Sequence, residues 1–598
     1  MTTRLMRAQV RPEETWNLDD LFPSRQAWEA EGQGIEADLG RITQYKGRLN
    51  EGAATLRACM DALEEGMARV YRWWTYAGLL AAQEGSNPEN QAAYGQAYAL
   101  GARLEAATAF IRSEVLALPD GVVEGWLQED QGLAVYAPYL QKMLIEKPHM
   151  LHPETEETLA ALGEVTGAPM IIYERAKSSD MEFEPIKVDG KEIPVSLSLY
   201  EDELEIAEQT EVRRQSYASF IKGLSAYKNT LAATFATEVK KNVVLSRLRR
   251  YESTTHMLLA SHQIDHAVYH NLLDVIQAEL APHMQRYARL RKRVLGLDKL
   301  LYCDIEAPLD PEFKPEISYE DAAKLVLDSL AVLGPEYQEI MRTALTDRWV
   351  DWCDNVGKQS GAFCSSPYGA HSYILMTWTG AMRGAFTLAH ELGHAGHFEL
   401  ANRNQKLLNV EPALFFVEAP STMNELLLAE HILAQTTDVR MRRWVIMQLL
   451  MTYHHNFVRH LLEAELQRRI YALAEAGTPI TAVTLSETKG AILERFWGGE
   501  VEIDEGARLT WMRQPHYYMG LYPYSYSAGL TASTAVAQKI KEEGQPAVDR
   551  WIEVLKAGGT LKPMELMSRA GVDMSQPEPI RKAVAYVGSL VDQLERSF

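Results

Sequence analysis

The segment His390-Glu391-Leu392-Gly393-His394 constrains this chain more than any other. Two histidines four residues apart share one face of an α-helix, one turn above the other. That spacing lets both imidazoles reach a single zinc ion, and it sets Glu391 to the side, where it can act on a water at the ion. The stretch must therefore be helical. The preceding run Gly384-Ala385-Phe386-Thr387-Leu388-Ala389 is small and apolar, which predicts that the helix is buried. Gly393 and Gly396 fall inside the helical pattern at a cost of about 1 kcal/mol each relative to alanine. Glycines retained there predict close approach by another element. A surface helix that merely carries two histidines would have no use for them.

Catalytic zinc commonly takes three protein ligands and keeps a fourth position for water. Glu418, in Phe416-Val417-Glu418-Ala419-Pro420-Ser421, is the candidate third ligand. Pro420 and Ser421 read as a helix start, with helix continuing from Thr422 to Ala434, so Glu418 would sit at its mouth. Glu425 lies seven residues on, two turns along the same face. It is placed to accept a hydrogen bond from a ligand histidine and so fix its tautomer. Taken alone, Glu418 would read as an ordinary carboxylate at a helix start; the upstream motif favours the ligand reading. Position 397 is His397 rather than glycine and position 400 is Leu400, so the long three-histidine motif of the metzincins is absent. A glutamate on a later helix makes this a glutamate-type zincin.

The combination of His390-Glu391-Leu392-Gly393-His394-Ala395-Gly396-His397 with Phe416-Val417-Glu418-Ala419-Pro420-Ser421 resembles the thimet oligopeptidase superfamily of zinc peptidases. Within it, the chain is most similar to the bacterial oligoendopeptidase F branch. Trp16-Asn17-Leu18-Asp19-Asp20-Leu21-Phe22-Pro23 and Gly357-Lys358-Gln359-Ser360-Gly361-Ala362-Phe363 fit that branch as well. The likeness runs from about residue 12 to about residue 590. It implies a large, mainly α zincin-type fold with a deep substrate channel that excludes folded proteins and admits unstructured oligopeptides. It also implies a small β-sheet beside the zinc helix, one edge of which pairs with the substrate backbone.

Bulk properties agree. A chain of 598 residues with 46% hydrophobic content can bury a large core and form more than one domain. The net charge of -21 excludes nucleic acid as a partner, because phosphate binding needs clustered Lys and Arg. The charge reads as solvated helix faces. Cys59, Cys303, Cys353 and Cys364 form no regular framework and read as free thiols of a reducing compartment. The first residues lack the apolar run of a signal peptide, and no apolar segment is long enough for a membrane span. The expected location is cytoplasmic. Nothing in the sequence sets an oligomeric state.

Three regions are expected along the chain: an N-terminal helical region over 1–125, a helical linker with a β-hairpin over 126–205, and a catalytic domain over 206–598. In the first, Ser24 caps a helix running toward Leu49, a second runs from about Ala53 to Gln83, and a third from Asn87-Pro88 to Leu118. Its tryptophans and tyrosines recur at helical spacing and read as core. A further helix is expected from His152 to Leu162. Asp189-Gly190 between alternating residues predicts a two-residue hairpin turn. The Gly- and Pro-containing stretch 349–379, with the β-prone run Ser372-Tyr373-Ile374-Leu375-Met376-Thr377-Trp378, predicts the small sheet just before the zinc helix.

A second cluster is His516-Tyr517-Tyr518-Met519-Gly520-Leu521-Tyr522-Pro523-Tyr524-Ser525-Tyr526. On composition alone it reads as aromatic packing. Hydrolysis at zinc gives it a second reading, because negative charge develops on the scissile carbonyl oxygen. A positioned phenol or imidazole can donate to that oxygen, at about 3–4 kcal/mol in the transition state. Related peptidases place a histidine and tyrosines from a late segment there. His516 is the matching histidine. Tyr526 is preferred among the tyrosines, then Tyr522, with Tyr524 also open, because Pro523 interrupts the segment.

The sequence thus predicts one Zn2+ per chain held by His390, His394 and Glu418, with Glu425 behind the ligands. Glu391 is the general base, and His516 with Tyr526 or Tyr522 stabilises the oxyanion. The expected activity is internal cleavage of short unstructured oligopeptides. A carboxypeptidase or dipeptidase on the same scaffold and a non-enzymatic peptide-binding protein are the alternatives.

Overall fold

The computed structural model describes residues 4–598. Helices account for 71% of it. Two compact units are present: one comprises residues 1–148, 315–431 and 536–571, the other 149–314, 432–535 and 572–598. Each unit draws on three separate stretches, so these units cut across the three consecutive regions expected from sequence. Among the described residues no helix is long and apolar enough to cross a membrane. The four cysteines are free, Cys59 and Cys303 buried and Cys353 and Cys364 half-buried.

In the first unit Ser24 caps a helix as expected, its hydroxyl accepting from the Ala27 amide at 3.1 Å. That helix spans only Arg25–Asp38, not the reach to Leu49, and the chain turns away through a short helix, Gly40–Thr43. The next two helices, Ala53–Gln83 and Pro88–Ala117, match their expected limits, with Pro88 at the first helical position and Asn87 as cap. Their apolar faces close a core around Trp28 and Trp73, whose rings stack at 4.5 Å. Each indole N–H donates to the other residue's carbonyl, at 2.8 and 2.7 Å, so burying two tryptophans leaves no unpaired donor.

The expected sheet is three-stranded. β3 (Val350–Asp351) runs parallel to β5 (Tyr373–Leu375), and β4 (Phe363–Ser365) pairs antiparallel with β5 as an edge strand. Buried Asp351 on β3 is paired with Arg7 and with Lys358 at 2.6 Å, which ties the N-terminal segment to the sheet. Just before β5, the Ser372 amide and hydroxyl both donate to Glu399, at 2.9 and 3.0 Å. Glu399 belongs to the Arg383–Asn404 helix that carries the histidine motif. The sheet is thereby locked to the motif helix through one buried carboxylate.

The glycines of the motif helix are close-approach positions. A Cβ on Gly393 would lie 2.5 Å from the Pro420 carbonyl oxygen and from the Ser421 Cα, both backbone atoms of the next helix start. A Cβ on Gly396 would lie 2.5 Å from the Tyr337 ring. The Tyr337 hydroxyl donates to Asn424 at 3.2 Å, and the Asn424 amide donates to the Ala389 carbonyl at 3.1 Å. The cost of helical glycine is offset by backbone contact at Gly393 and by ring contact at Gly396.

In the second unit β1 (Ile186–Val188) and β2 (Lys191–Ile193) form the expected hairpin, with Asp189 and Gly190 at φ 51° and 73°. Positive φ at both positions is the type I′ requirement. The helix Val439–Tyr453 passes through a π-helical turn, His454–Arg459, into the helix His460–Glu475. Such turns insert an extra residue into the helix and are frequent at functional sites. The Glu578–Ser597 helix packs its apolar face against His266–Val294.

Gly393→Ala should destabilise the protein by about 1–3 kcal/mol, since backbone atoms cannot move aside cheaply. Gly95→Ala, inside the Pro88–Ala117 helix where a Cβ meets nothing within 4 Å, should stabilise by up to about 1 kcal/mol. Denaturant unfolding of both variants checks this; equal effects would contradict the close-approach reading.

Candidate metal centre and histidine–tyrosine cluster

His390 and His394 lie one turn apart on the Arg383–Asn404 helix, and Glu418 immediately precedes the Ala419–Gln435 helix. The Glu418 Oε2 atom is 3.5 Å from the Nε2 atoms of both His390 and His394. One ligand atom from each of the three residues lies within 4.8 Å of the others, the sole such group of metal-ligating side chains among the described residues. A tetrahedral ion about 2.0–2.1 Å from its donors needs donor–donor separations of about 3.3–3.5 Å. The donor set therefore fits zinc in both chemistry and spacing.

His390 and Glu418 are held from behind. His390 Nδ1 lies 2.6 Å from Glu425 Oε1, which leaves Nε2 to face Glu418. The Ser421 hydroxyl donates to Glu418 Oε2 at 3.0 Å. The Ser421 hydroxyl also donates to the Glu418 carbonyl at 3.0 Å, and the Thr422 amide does so at 3.1 Å. Ser421 is thus both the backbone contact of Gly393 and the clamp on Glu418, a role the sequence did not reveal.

The electrostatics favour a cation. Glu391, Glu418 and Glu425 gather around two imidazoles. Burial alone would lower His390, but its bond to Glu425 and the nearby carboxylates raise it to about 9. Burial would raise Glu418, but hydrogen bonding and charge from His394, with the charge of His390, hold it at about 2. Burial pushes the Glu391 carboxyl up, against the pull of His390 and His394. His397, one turn beyond the motif, is fully buried and burial pushes it down to about 3. It packs edge-on against Phe416 and does not join the ligand group.

The second unit holds the other predicted residues. Pro523 does not interrupt the segment; it opens the Pro523–Glu543 helix, where its missing N–H costs nothing. Tyr522 and Tyr526 flank that first turn with ring centroids 5.5 Å apart. His516 stacks on Tyr522 at 4.9 Å, and its Nε2 lies 3.3 Å from the Tyr526 hydroxyl. Tyr524 is buried and lies beside His262 instead, at 3.5 Å. The structure thus groups His516, Tyr522 and Tyr526 and leaves Tyr524 out.

His455, His460 and Gln514 join this cluster without having been singled out from sequence. His460 stacks on Tyr526 at 4.1 Å. The π-helical turn at 454–459 is what brings His455 and His460 together, with Nε2 atoms 3.2 Å apart. Their signal was a His-His…His spacing inside a helix, which the regular period does not place on one face.

The segment is anchored on both sides. Arg513 pairs with Glu201 at 3.0 Å and with Glu205 at 2.9 Å, and Glu205 also meets Arg459 at 3.1 Å. Tyr517 donates to buried Glu463, itself paired with Lys489 at 2.5 Å, and stacks on Phe235 at 4.5 Å.

Residues 204–586 match the profile of peptidase family M3, and residues 114–183 match that of oligopeptidase F. The chain is 33% identical over 590 residues to oligopeptidase PepF of Bacillus subtilis (strain 168), covering 98% of this chain and 88% of that protein. Among solved structures, a candidate peptidase from Chlamydophila abortus superposes with a TM-score of 0.91 at 25% identity, covering 100% of both chains. The oligoendopeptidase-F of Enterococcus faecium gives a TM-score of 0.74 at 26% identity, over 96% of this chain and 99% of that one. With a family profile spanning well over half its length and a relative aligned end to end, this chain belongs to peptidase family M3.

Proposed function

We propose that the protein is a zinc-dependent endopeptidase that hydrolyses internal bonds of short unstructured peptides. The observation that carries this reading is the convergence of His390, His394 and Glu418, with both imidazole Nε2 atoms 3.5 Å from one carboxylate oxygen. The chain's similarity to an oligopeptidase and an oligoendopeptidase supports the substrate class.

His390, His394 and Glu418 would hold one zinc ion. When bound, zinc supplies Lewis acidity and lowers the pKa of water to about 7. Glu425 accepts the His390 Nδ1 hydrogen, which fixes the tautomer whose Nε2 lone pair faces the site. Glu391 takes the proton of the attacking water and delivers it to the leaving amine nitrogen. Its burial keeps the carboxylate poised to take a proton. β4, as an edge strand beside the motif helix, offers backbone groups to an extended peptide, a mode that binds without regard to most side chains. In the second unit, His516 with Tyr526 and Tyr522 is assigned to the oxyanion that develops on the scissile carbonyl. The chemistry of that step and the likeness of the His516–Tyr526 segment to related peptidases support this assignment.

Incubation with unstructured peptides of graded length, read by mass spectrometry, tests the activity. Internal cuts with longer chains resisted are expected; ladders from one end would make it an exopeptidase, and no cleavage with metal bound would leave a binding protein. Glu391→Gln should lower kcat by about 10²–10⁴-fold, the worth of a general base, while metal content stays at wild-type level. Wild-type turnover by that variant would remove Glu391 from the mechanism.

A further inference from the structure

We propose that Gln514 and His460 are positioning residues that hold His516 as the neutral Nδ1–H tautomer, leaving its Nε2 as a hydrogen-bond acceptor. The inference rests on the oxyanion assignment above and sharpens it, because an Nε2 that keeps its lone pair cannot itself donate to the oxyanion.

One hydrogen-bonded chain runs from Asn456 to Tyr526. Asn456 Oδ1 lies 2.9 Å from His455 Nδ1, and a carbonyl oxygen can only accept, so His455 carries its hydrogen on Nδ1. Its Nε2 is then bare and accepts from His460 Nε2 at 3.2 Å. A neutral His460 protonated at Nε2 has a bare Nδ1, which accepts from the Gln514 amide nitrogen at 3.4 Å. Gln514 turns its carbonyl oxygen to His516 Nδ1, which must therefore donate. His516 Nε2 is left with a lone pair and accepts from the Tyr526 hydroxyl at 3.3 Å. Each link uses one hydrogen, and the two amides, at Asn456 and Gln514, give the same polarity. The tautomer of an imidazole is set by the bond its other nitrogen makes.

The imidazoles are neutral in this chain. Burial lowers all three, with His516 at about 4 and His460 well below its ordinary value. Lys177 faces His516, and Arg459 and Lys489 face His460, and each adds to the lowering. The rings cannot turn to exchange nitrogens freely: His460 is 4% exposed and stacked on Tyr526, while His516 is stacked on Tyr522. Gln514 is 8% exposed and sits between Arg513 and Pro515, in the stretch anchored through Glu201 and Glu205. A water-exposed histidine favours the opposite, Nε2–H form, so the network selects a state the free side chain disfavours.

The test uses full-length protein labelled with [15N]histidine. Long-range proton–nitrogen correlation spectra at neutral pH report which ring nitrogen is protonated, and His516→Gln identifies the His516 signals by subtraction. The Nδ1–H pattern for His516 is expected in wild type, with loss of that pattern in Gln514→Met and in His460→Phe. An Nε2–H pattern in wild type would overturn the proposal, as would an unchanged Nδ1–H pattern in Gln514→Met. In peptide hydrolysis Gln514→Met should lower kcat by about 10–100-fold with KM nearly constant, the scale of losing an orienting partner. Equal effects on kcat and folding stability, with the tautomer unmoved, would mark Gln514 as structural and also overturn it. If His516→Gln hydrolyses peptides at the wild-type rate, the oxyanion assignment itself fails, a result separate from either tautomer.

Discussion

Beside the candidate metal donors the motif helix and the start of the next helix pack backbone against backbone. Gly393 touches the backbone at Pro420 and Ser421, and only a residue without a Cβ allows the two elements that carry the candidate ligands to approach so far. Two histidines on one helix can be placed by helical geometry alone. A third ligand from a different element requires that the elements touch, and here they touch beside Glu418. Asn424 and Tyr337 hold the same interface from another side, and Ser421 clamps the carboxylate. Glu399 adds a link from the motif helix to the start of β5, so helix, sheet and the Glu418 carboxylate form one braced assembly.

The second unit braces its cluster differently. The stretch around His516 is short 3₁₀ turns, which have little rigidity of their own. Buried charges supply it: Arg513 with Glu201 and Glu205 before His516, and Glu463 with Lys489 and Tyr517 after it. Breaking a buried pair by removing one partner costs several kcal/mol. Such pairs fix the segment in one arrangement while leaving the imidazole and phenols to a separate, uncharged hydrogen-bonded chain.

The legible part of the sequence was local. Spacing of four gave the histidine pair, Asp189-Gly190 gave the hairpin turn, and Asn87-Pro88 gave a helix start. Interior glycines at 393 and 396 correctly signalled a close approach, because their helical cost needs a compensating contact. The illegible part depended on atoms far apart in sequence. Gln514 and His460 are 54 residues apart and meet only through tertiary packing. A π-helical turn shifts the face on which His455 and His460 project, so regular periodicity could not pair them. Pro523 was read as a break and proved to be a helix start, since proline has that meaning only once the helix boundary is known. The helix after Ser24 ends early, at Asp38, where the chain passes into the short Gly40–Thr43 helix and then turns at Gly47, φ 80°, which a capping signal cannot foresee. Consecutive regions were expected where each compact unit gathers three stretches, as helices distant in sequence share a core.

The proposed activity turns on one zinc ion held by three side chains, His390, His394 and Glu418. Metal analysis of purified full-length protein after dialysis, for wild type and single alanine variants at each of the three positions, tests it most directly. The account predicts one zinc per wild-type chain and loss of tightly held metal from all three variants, each still folded by circular dichroism. Retention of stoichiometric zinc by a folded Glu418→Ala protein, or a wild-type protein that binds no zinc when it is supplied in excess, would contradict it.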